Sequence, residues 1–230
     1  MSLYTGHITT SYIQKSLLAV GSAVASLSNP YRHDMVAVCG EVTGTNALQY
    51  MLSRMQKDPV GREILETRPR INSTTVDMNH LRTLKDDTFG KQYVEFLDRF
   101  KITPDSRRPV KFVDDENLAY VMQRYREVHD FNHLLLNQPT NILGEIVVKW
   151  FEALQTRLPM CYLAALAGPV RLSQKQKKLL VQKRLPWIAE TASSAKFFMN
   201  IYFENKFEDK IHDVREEMNI ILYKKSSDRK

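Results

Sequence analysis

The stretch "DENLAYVMQRYREVHDFNHLLLNQPTNILGEIVVKWFEALQT", residues 115–156, decides the fold. Its first half reads as one long helix over 115–136, with Asp114 as a candidate N-cap. Asn137-Gln138-Pro139-Thr140 then breaks the pattern, since proline lacks the N–H a helix interior needs. A second helix follows over about 141–156, and so short a connection makes the two antiparallel neighbours.

The same stretch carries the chemistry. His129 and His133 are four residues apart, so both imidazoles leave one side of the helix. Asp130 lies about 100° round from His129 and about 60° from His133. Glu145 sits one turn into the next helix. His129, Asp130, His133 and Glu145 can therefore close a metal site across the helix pair. Nitrogen and oxygen ligands without thiolate suit Zn, Mn or Fe(II), and Mg less well. Histidine is rare here, at six in 230 residues, which weighs against a chance pairing. The competing reading is two partly buried histidines satisfied by hydrogen bonds. Two further patterns are weaker. A zincin HExxH with Asp130 in the acid position would leave the general base a methylene short. A helical HD-type phosphohydrolase would need more ligands, for which His33-Asp34 is available.

Outside the stretch, period-2 alternation is scarce and helical periodicity recurs, which gives an all-α class. Over 11–28, Ile13, Leu17, Val20, Val24 and Leu27 form one apolar stripe, while Ala19, Gly21, Ala23 and Ala25 keep the helix narrow. Further helices are expected over about 33–43, 46–57, 59–67, 89–99, 159–167, 173–184, 186–199 and 206–219. Residues 70–75 read as loop, and 105–111 as a basic link bearing a proline. The organisation expected is a single compact domain over 1–223 with a basic, disordered tail over 224–230, the metal site lying between its two antiparallel helices.

Net charge is +7, so anionic partners are favoured. Zinc-finger spacing, RNP-type aromatics and a dominant basic helix are all missing from the sequence, so nucleic acid is not an expected partner. No run approaches ~18 apolar residues, so no membrane span is expected. Cys39 and Cys161 are too few for a disulfide framework and read as core thiols in a reducing compartment. Residues 1–33 contain no acid but only Lys15 and Arg32 as cations, too few for a transit peptide. They are read as mainly part of the mature fold, with any cleaved leader short or already absent.

Residues 112–161, "FVDDENLAYVMQRYREVHDFNHLLLNQPTNILGEIVVKWFEALQTRLPMC", resemble the mitochondrial ubiquinone (coenzyme Q) biosynthesis protein 4 family. "NPYRHDMVAVCGEVTG" (29–44) and "GPVRL" (168–172) are similar to it as well, and the resemblance spans about 16–220. It implies an all-helical protein on the matrix face of the mitochondrial inner membrane, held there peripherally within a multi-enzyme ubiquinone-synthesis complex. It also implies a metal, usually taken as zinc, at His129, Asp130, His133 and Glu145. The activity implied is C1 decarboxylation of a polyprenylated 4-hydroxybenzoate-type acid, in some accounts coupled to C1 hydroxylation. The alternative is a non-catalytic lipid-binding scaffold for the same complex. The partners expected are the prenylated acid, the other enzymes of the pathway, the membrane surface and a second copy of the chain.

Two residues one turn before His129 are candidates for the chemistry: Arg126 to hold the substrate carboxylate and Tyr125 as a supporting group or proton donor. An ordinary ion pair is the alternative for Arg126, and Lys149 is expected to pair with Glu145. The prenyl tail requires an apolar groove, for which 11–28 and 158–172 are candidates. The basic amphipathic stretch 171–187, with Lys175, Lys177, Lys178, Lys183 and Arg184 beside Leu179, Leu180, Val181 and Trp187, suits anionic headgroups.

Overall fold

A computed structural model describes residues 3–29 and 32–224. The chain is all-α, with helix over 69% of the described residues. Among the described residues the one β-type feature is an isolated bridge between Thr88 and Lys210.

The organising element is α7 (Glu116–Leu135), in which every residue from Leu118 to Leu135 is buried. A helix buried all round must satisfy its polar side chains inside the protein, and α7 does so by reaching out to other segments. Arg124 pairs with Glu204 at 2.8 Å, Arg126 with Glu41 at 2.7 Å and Glu127 with Arg70 at 2.7 Å. Its N-cap is Asp115 and not Asp114: the Asp115 carboxylate accepts from the Leu118 N–H, while Asp114 pairs with His7 and Lys15.

The chain leaves α7 through Asn137, whose φ of +50° is a left-handed geometry that asparagine tolerates. Gln138 donates its N–H back to His133 O at 2.8 Å. Asn141 then caps α8 (Ile142–Thr156) by accepting from the Gly144 N–H. Gly144 is required here, because a Cβ would stand 1.9 Å from Pro139 O. That close approach brings Glu145 up to the histidines.

Around this pair, α3 (Thr45–Lys57) packs on α7 and α4 (Pro59–Thr67), and α8 lies against α9 (Pro159–Ala167) and α11 (Leu185–Ser194). The buried residues form one hydrophobic cluster. In it Phe89, Tyr93, Phe131, Phe203 and Phe207 pack both edge-on and stacked, with centroids 4.7–6.3 Å apart.

α1 (Tyr12–Ser28) packs on α2 (His33–Thr43) through its narrow face, where Ser22 is buried and Ala23 meets the core. Its apolar stripe consequently points outward: Ile13 is 75% exposed and Val20 67%. Leu166, Val170 and Val181 are exposed too.

Several expected boundaries moved. The helix over 173–184 is α10 (Gln174–Leu179) followed by a π-turn over Leu180–Arg184. Pro186, which has no N–H to close an α-turn, accounts for that widening. α11 stops at Ser194, where Ser193 and Ser194 hydroxyls bond back to Glu190 O. The last helix, α12 (Ile211–Glu217), starts late because 207–211 lies against the start of α6 (Phe89–Phe100), with the Phe89 and Gly90 N–H groups donating to Asp209 O and Phe207 O. A short α5 (Met78–Thr83), capped by Asp77, was not expected. Residues 225–230, most of the expected tail, lie outside the described residues.

Candidate metal centre

Each histidine is held by its Nδ1. His129 Nδ1 lies 2.6 Å from Glu152 Oε1 and His133 Nδ1 lies 3.2 Å from Gln138 O. Both partners are acceptors, so both Nδ1 atoms carry protons, and Nε2 is the nitrogen of each ring that can give up its proton to ligate. Those Nε2 atoms face Glu145, at 3.7 Å for His129 and 3.2 Å for His133. The buried His133 Nε2 has no hydrogen-bond partner. One ligand atom from each of His129, His133 and Glu145 lies within 4.8 Å of the others. Two imidazoles oriented through their Nδ1 bonds and a carboxylate facing them form a donor set that fits a divalent cation.

Asp130 is placed differently. Its carboxylate is tied to Arg107, from the basic link, and stands outside the group of three. It is close enough to help raise the pKa of His133.

Burial lowers the pKa of His133, but the adjacent Glu145 and Asp130 outweigh that and raise it overall. Glu145 is half-buried, and the desolvation this brings opposes ionisation, yet the two histidines and Lys149 bring its pKa down to about 2. His129 is lowered, mainly by burial, against the pull of Glu152.

Glu152 is the hub that the sequence reading missed. It is fully buried and accepts from His129, from Asn132 Nδ2 at 3.1 Å, from Tyr125 OH at 2.6 Å and from Lys149 Nζ at 2.7 Å. Burial opposes its charge, but His129 and Lys149 hold its pKa well below the usual carboxylate range. Its signal was available, since Glu145, Lys149 and Glu152 are spaced i, i+4 and i+7 on one helix face. Lys149 thus pairs with Glu152 rather than with Glu145.

Tyr125 reaches this network through Glu152 and lies 3.1 Å from Cys161 Sγ; burial raises its pKa well above 10. Cys161 is pushed up to about 12, also by burial. Arg126 turns the other way, donating to Glu41, to Ala37 O at 2.8 Å and to Arg108 O at 3.2 Å. The other candidate ligand pair gives no support, since Asp34 is bound by Arg32 and the His33 side chain lies outside the described residues.

Two pockets reach the cluster. One, of about 270 Å³, opens between α1, α2, α8 and α9; Leu27, Val36, Ile146, Met160 and Leu163 make apolar walls, and Glu145 and Lys149 supply charge. Gly168 lets α9 close on Ile146, since a Cβ there would stand 2.6 Å from it. The other, of about 180 Å³, is lined by His133 with Gln92, Glu95, Arg99 and Gln138.

The fold is shared with a crystal structure from Nostoc punctiforme: TM-score 0.70 at 20% identity, covering 91% of this chain and 98% of the other. Curated relatives are nearer in sequence. The bovine "Ubiquinone biosynthesis protein COQ4 homolog, mitochondrial" is 53% identical over 218 residues, 95% of this chain and 82% of its own length. The human protein of the same name is 51% identical over the same span, and the Aedes aegypti one 47% over 212 residues. The family model described as "Coenzyme Q (ubiquinone) biosynthesis protein Coq4" matches residues 4–224, nearly all of the described chain. The chain belongs to the Coq4 family of ubiquinone biosynthesis proteins.

Proposed function

We propose that this ubiquinone biosynthesis protein catalyses the C1 decarboxylation of a polyprenylated 4-hydroxybenzoate-type acid, with a divalent metal, zinc in the first instance, held by His129, His133 and Glu145. Asp130 would join as a fourth ligand by exchanging its Arg107 partner for the cation. The observation that carries the reading is the apolar pocket whose charged residues include Glu145, a member of the ligand group. Its walls suit an isoprenoid tail, and its polar end suits an aromatic acid.

A cation bound there would supply positive charge to stabilise the charge that shifts as the carboxylate leaves. The reaction itself is redox-neutral: a proton is delivered to C1, the bond from C1 to the carboxylate breaks, and its electron pair returns to the ring as CO2 departs. The chain's part is to exclude water from the ring, to fix both imidazoles through Glu152 and Gln138, and to keep Tyr125 protonated beside Glu152.

The setting proposed is the matrix face of the mitochondrial inner membrane, beside the other ubiquinone-synthesis enzymes. No helix among the described residues is long and apolar enough to cross a membrane. Peripheral docking is supported by the outward stripe of α1 and by exposed Val170 and Val181. It is supported too by the segment 157–189, which contains no acidic residue. Lys175, Lys177, Lys178 and Lys183 form no ion pair among the described residues, and lysines near an anionic surface contribute roughly 1 kcal/mol each. Arg171 lines the pocket and donates to Leu27 O, so the end of the α1 stripe lies at the pocket.

The test is turnover of the prenylated acid by zinc-loaded protein, in air and under nitrogen, with His133→Ala as control. Phenol and CO2 under nitrogen, lost in a His133→Ala protein of unchanged helicity, is the expected result. Product that appears only in air would make the reaction oxidative. Binding of the acid without any product would favour a scaffold, a reading the buried Glu152 network also suits, since it joins α7 to α8 whether or not chemistry follows.

A further inference from the structure

The geometry points to Lys149 as the cation that seats the carboxylate of the bound acid, an inference that rests on the substrate class proposed above. Lys149 is one of the charged residues lining the apolar pocket, on the same helix face as Glu145 and one turn beyond it. Its side chain is 14% exposed. The ammonium has three N–H bonds. One goes to Glu152 Oε2 at 2.7 Å and one towards Tyr125 OH at 3.2 Å. The 3.3 Å approach to His129 Nδ1 takes none, because that nitrogen already gives its own proton to Glu152. One N–H therefore remains for a ligand in the pocket.

Arg126 has nothing comparable to offer. Its guanidinium is bound to Glu41 and to two backbone carbonyls, and it does not line the pocket. Arg171, the other cation in the lining, donates to Leu27 O away from the histidines. Lys149 alone combines a place in the pocket with contact to the residues around His129. An acid seated on it would have its ring beside Glu145 and its tail along the apolar walls. A carboxylate bound by a sheltered ammonium gains an ion-paired hydrogen bond, with both partners charged, where a neutral ester offers only a weaker carbonyl acceptor.

The experiment compares binding of a prenylated 4-hydroxybenzoic acid with that of its methyl ester. Zinc-loaded wild type is set beside Lys149→Met and the double variant Lys149→Met/Glu152→Gln, which removes both buried charges together and leaves no unpaired carboxylate. Circular dichroism verifies folding. Wild type is expected to prefer the acid by about tenfold or more, and both variants to lose that preference while ester affinity stays within about twofold. Lys149→Arg should keep part of the preference. Retention of the full preference in both folded variants would overturn the assignment. So would loss of the wild-type preference on chelating zinc while the variants keep theirs, which would make the metal the seat. Failure of wild type to bind either compound would instead overturn the substrate class itself, and this inference with it.

Discussion

Glu152 on α8 accepts the Nδ1 proton of His129 on α7 at 2.6 Å, and this bond turns the other nitrogen of the ring towards Glu145. A carboxylate behind a histidine fixes its tautomer and raises its basicity, so the bond acts on metal affinity without touching the metal. Glu152→Gln should therefore weaken zinc binding by roughly 10–100-fold. Competition with a chromophoric chelator measures this, and an unchanged affinity would rule out the orienting role.

Metal and proton compete at the same nitrogen. The pKa of His133 is raised overall: burial works against the charged form, but Glu145 beside it dominates. A raised pKa means the proton holds on to higher pH, so zinc affinity should fall as pH falls through that value and level off above it. Isothermal titration across pH 5 to 8 (a range around the ordinary ~6.5 of histidine) would show the slope. A flat profile would contradict ligation by His133.

Zinc that binds only the folded chain should stabilise it by mass action, by roughly 2.7 kcal/mol when free zinc is 100 times Kd. In a chain of this length each kcal/mol moves Tm by roughly 2–4 °C. Chelation should lower Tm accordingly in wild type and leave His133→Ala unmoved. Thermal melts with and without chelator decide.

Gly144→Ala places a Cβ against Pro139 O, a backbone atom that cannot swing aside. The connection between α7 and α8 must then open, at a cost of about 1–3 kcal/mol, and Glu145 moves away from the histidines. Urea unfolding should show the loss of stability and a zinc titration a loss of affinity. Normal affinity with reduced stability would separate the turn from the site.

Arg126→Ala leaves Glu41 buried without its ion partner, although Glu41 still accepts from the Lys111 and Phe112 N–H groups. Breaking a buried pair on one side costs about 3–5 kcal/mol. Arg126→Ala is thus expected to reduce stability strongly while leaving the preference for acid over ester intact in whatever fraction stays folded. Loss of that preference with little change in stability would return Arg126 to the role its sequence position suggested.

The α7–α8 pair was legible because one proline turn separates two strongly patterned helices, and because i, i+4 histidines followed by an acid have few bland explanations. Glu152 and Lys149 were harder. Their spacing from Glu145 was visible, but an acid and a lysine three residues apart on a helix read as a solvated pair until the helix is known to be buried. Arg107 could not be found at all, since its contact with Asp130 depends on how an irregular segment folds back. The stripe on α1 shows a different limit. Periodicity reveals that Ile13, Leu17, Val20, Val24 and Leu27 share a face, but not which way the face looks. Here the narrow side of the helix packs inward and the apolar side outward.

The two pockets have a kinetic consequence. The apolar one meets the ligand group at Glu145 and the polar one meets it at His133, so the prenyl tail proposed for the first would leave the second open. Under that proposal protons, gases and water would not wait for the lipid to leave, and the residence time of the tail would be independent of how fast the small reactants exchange.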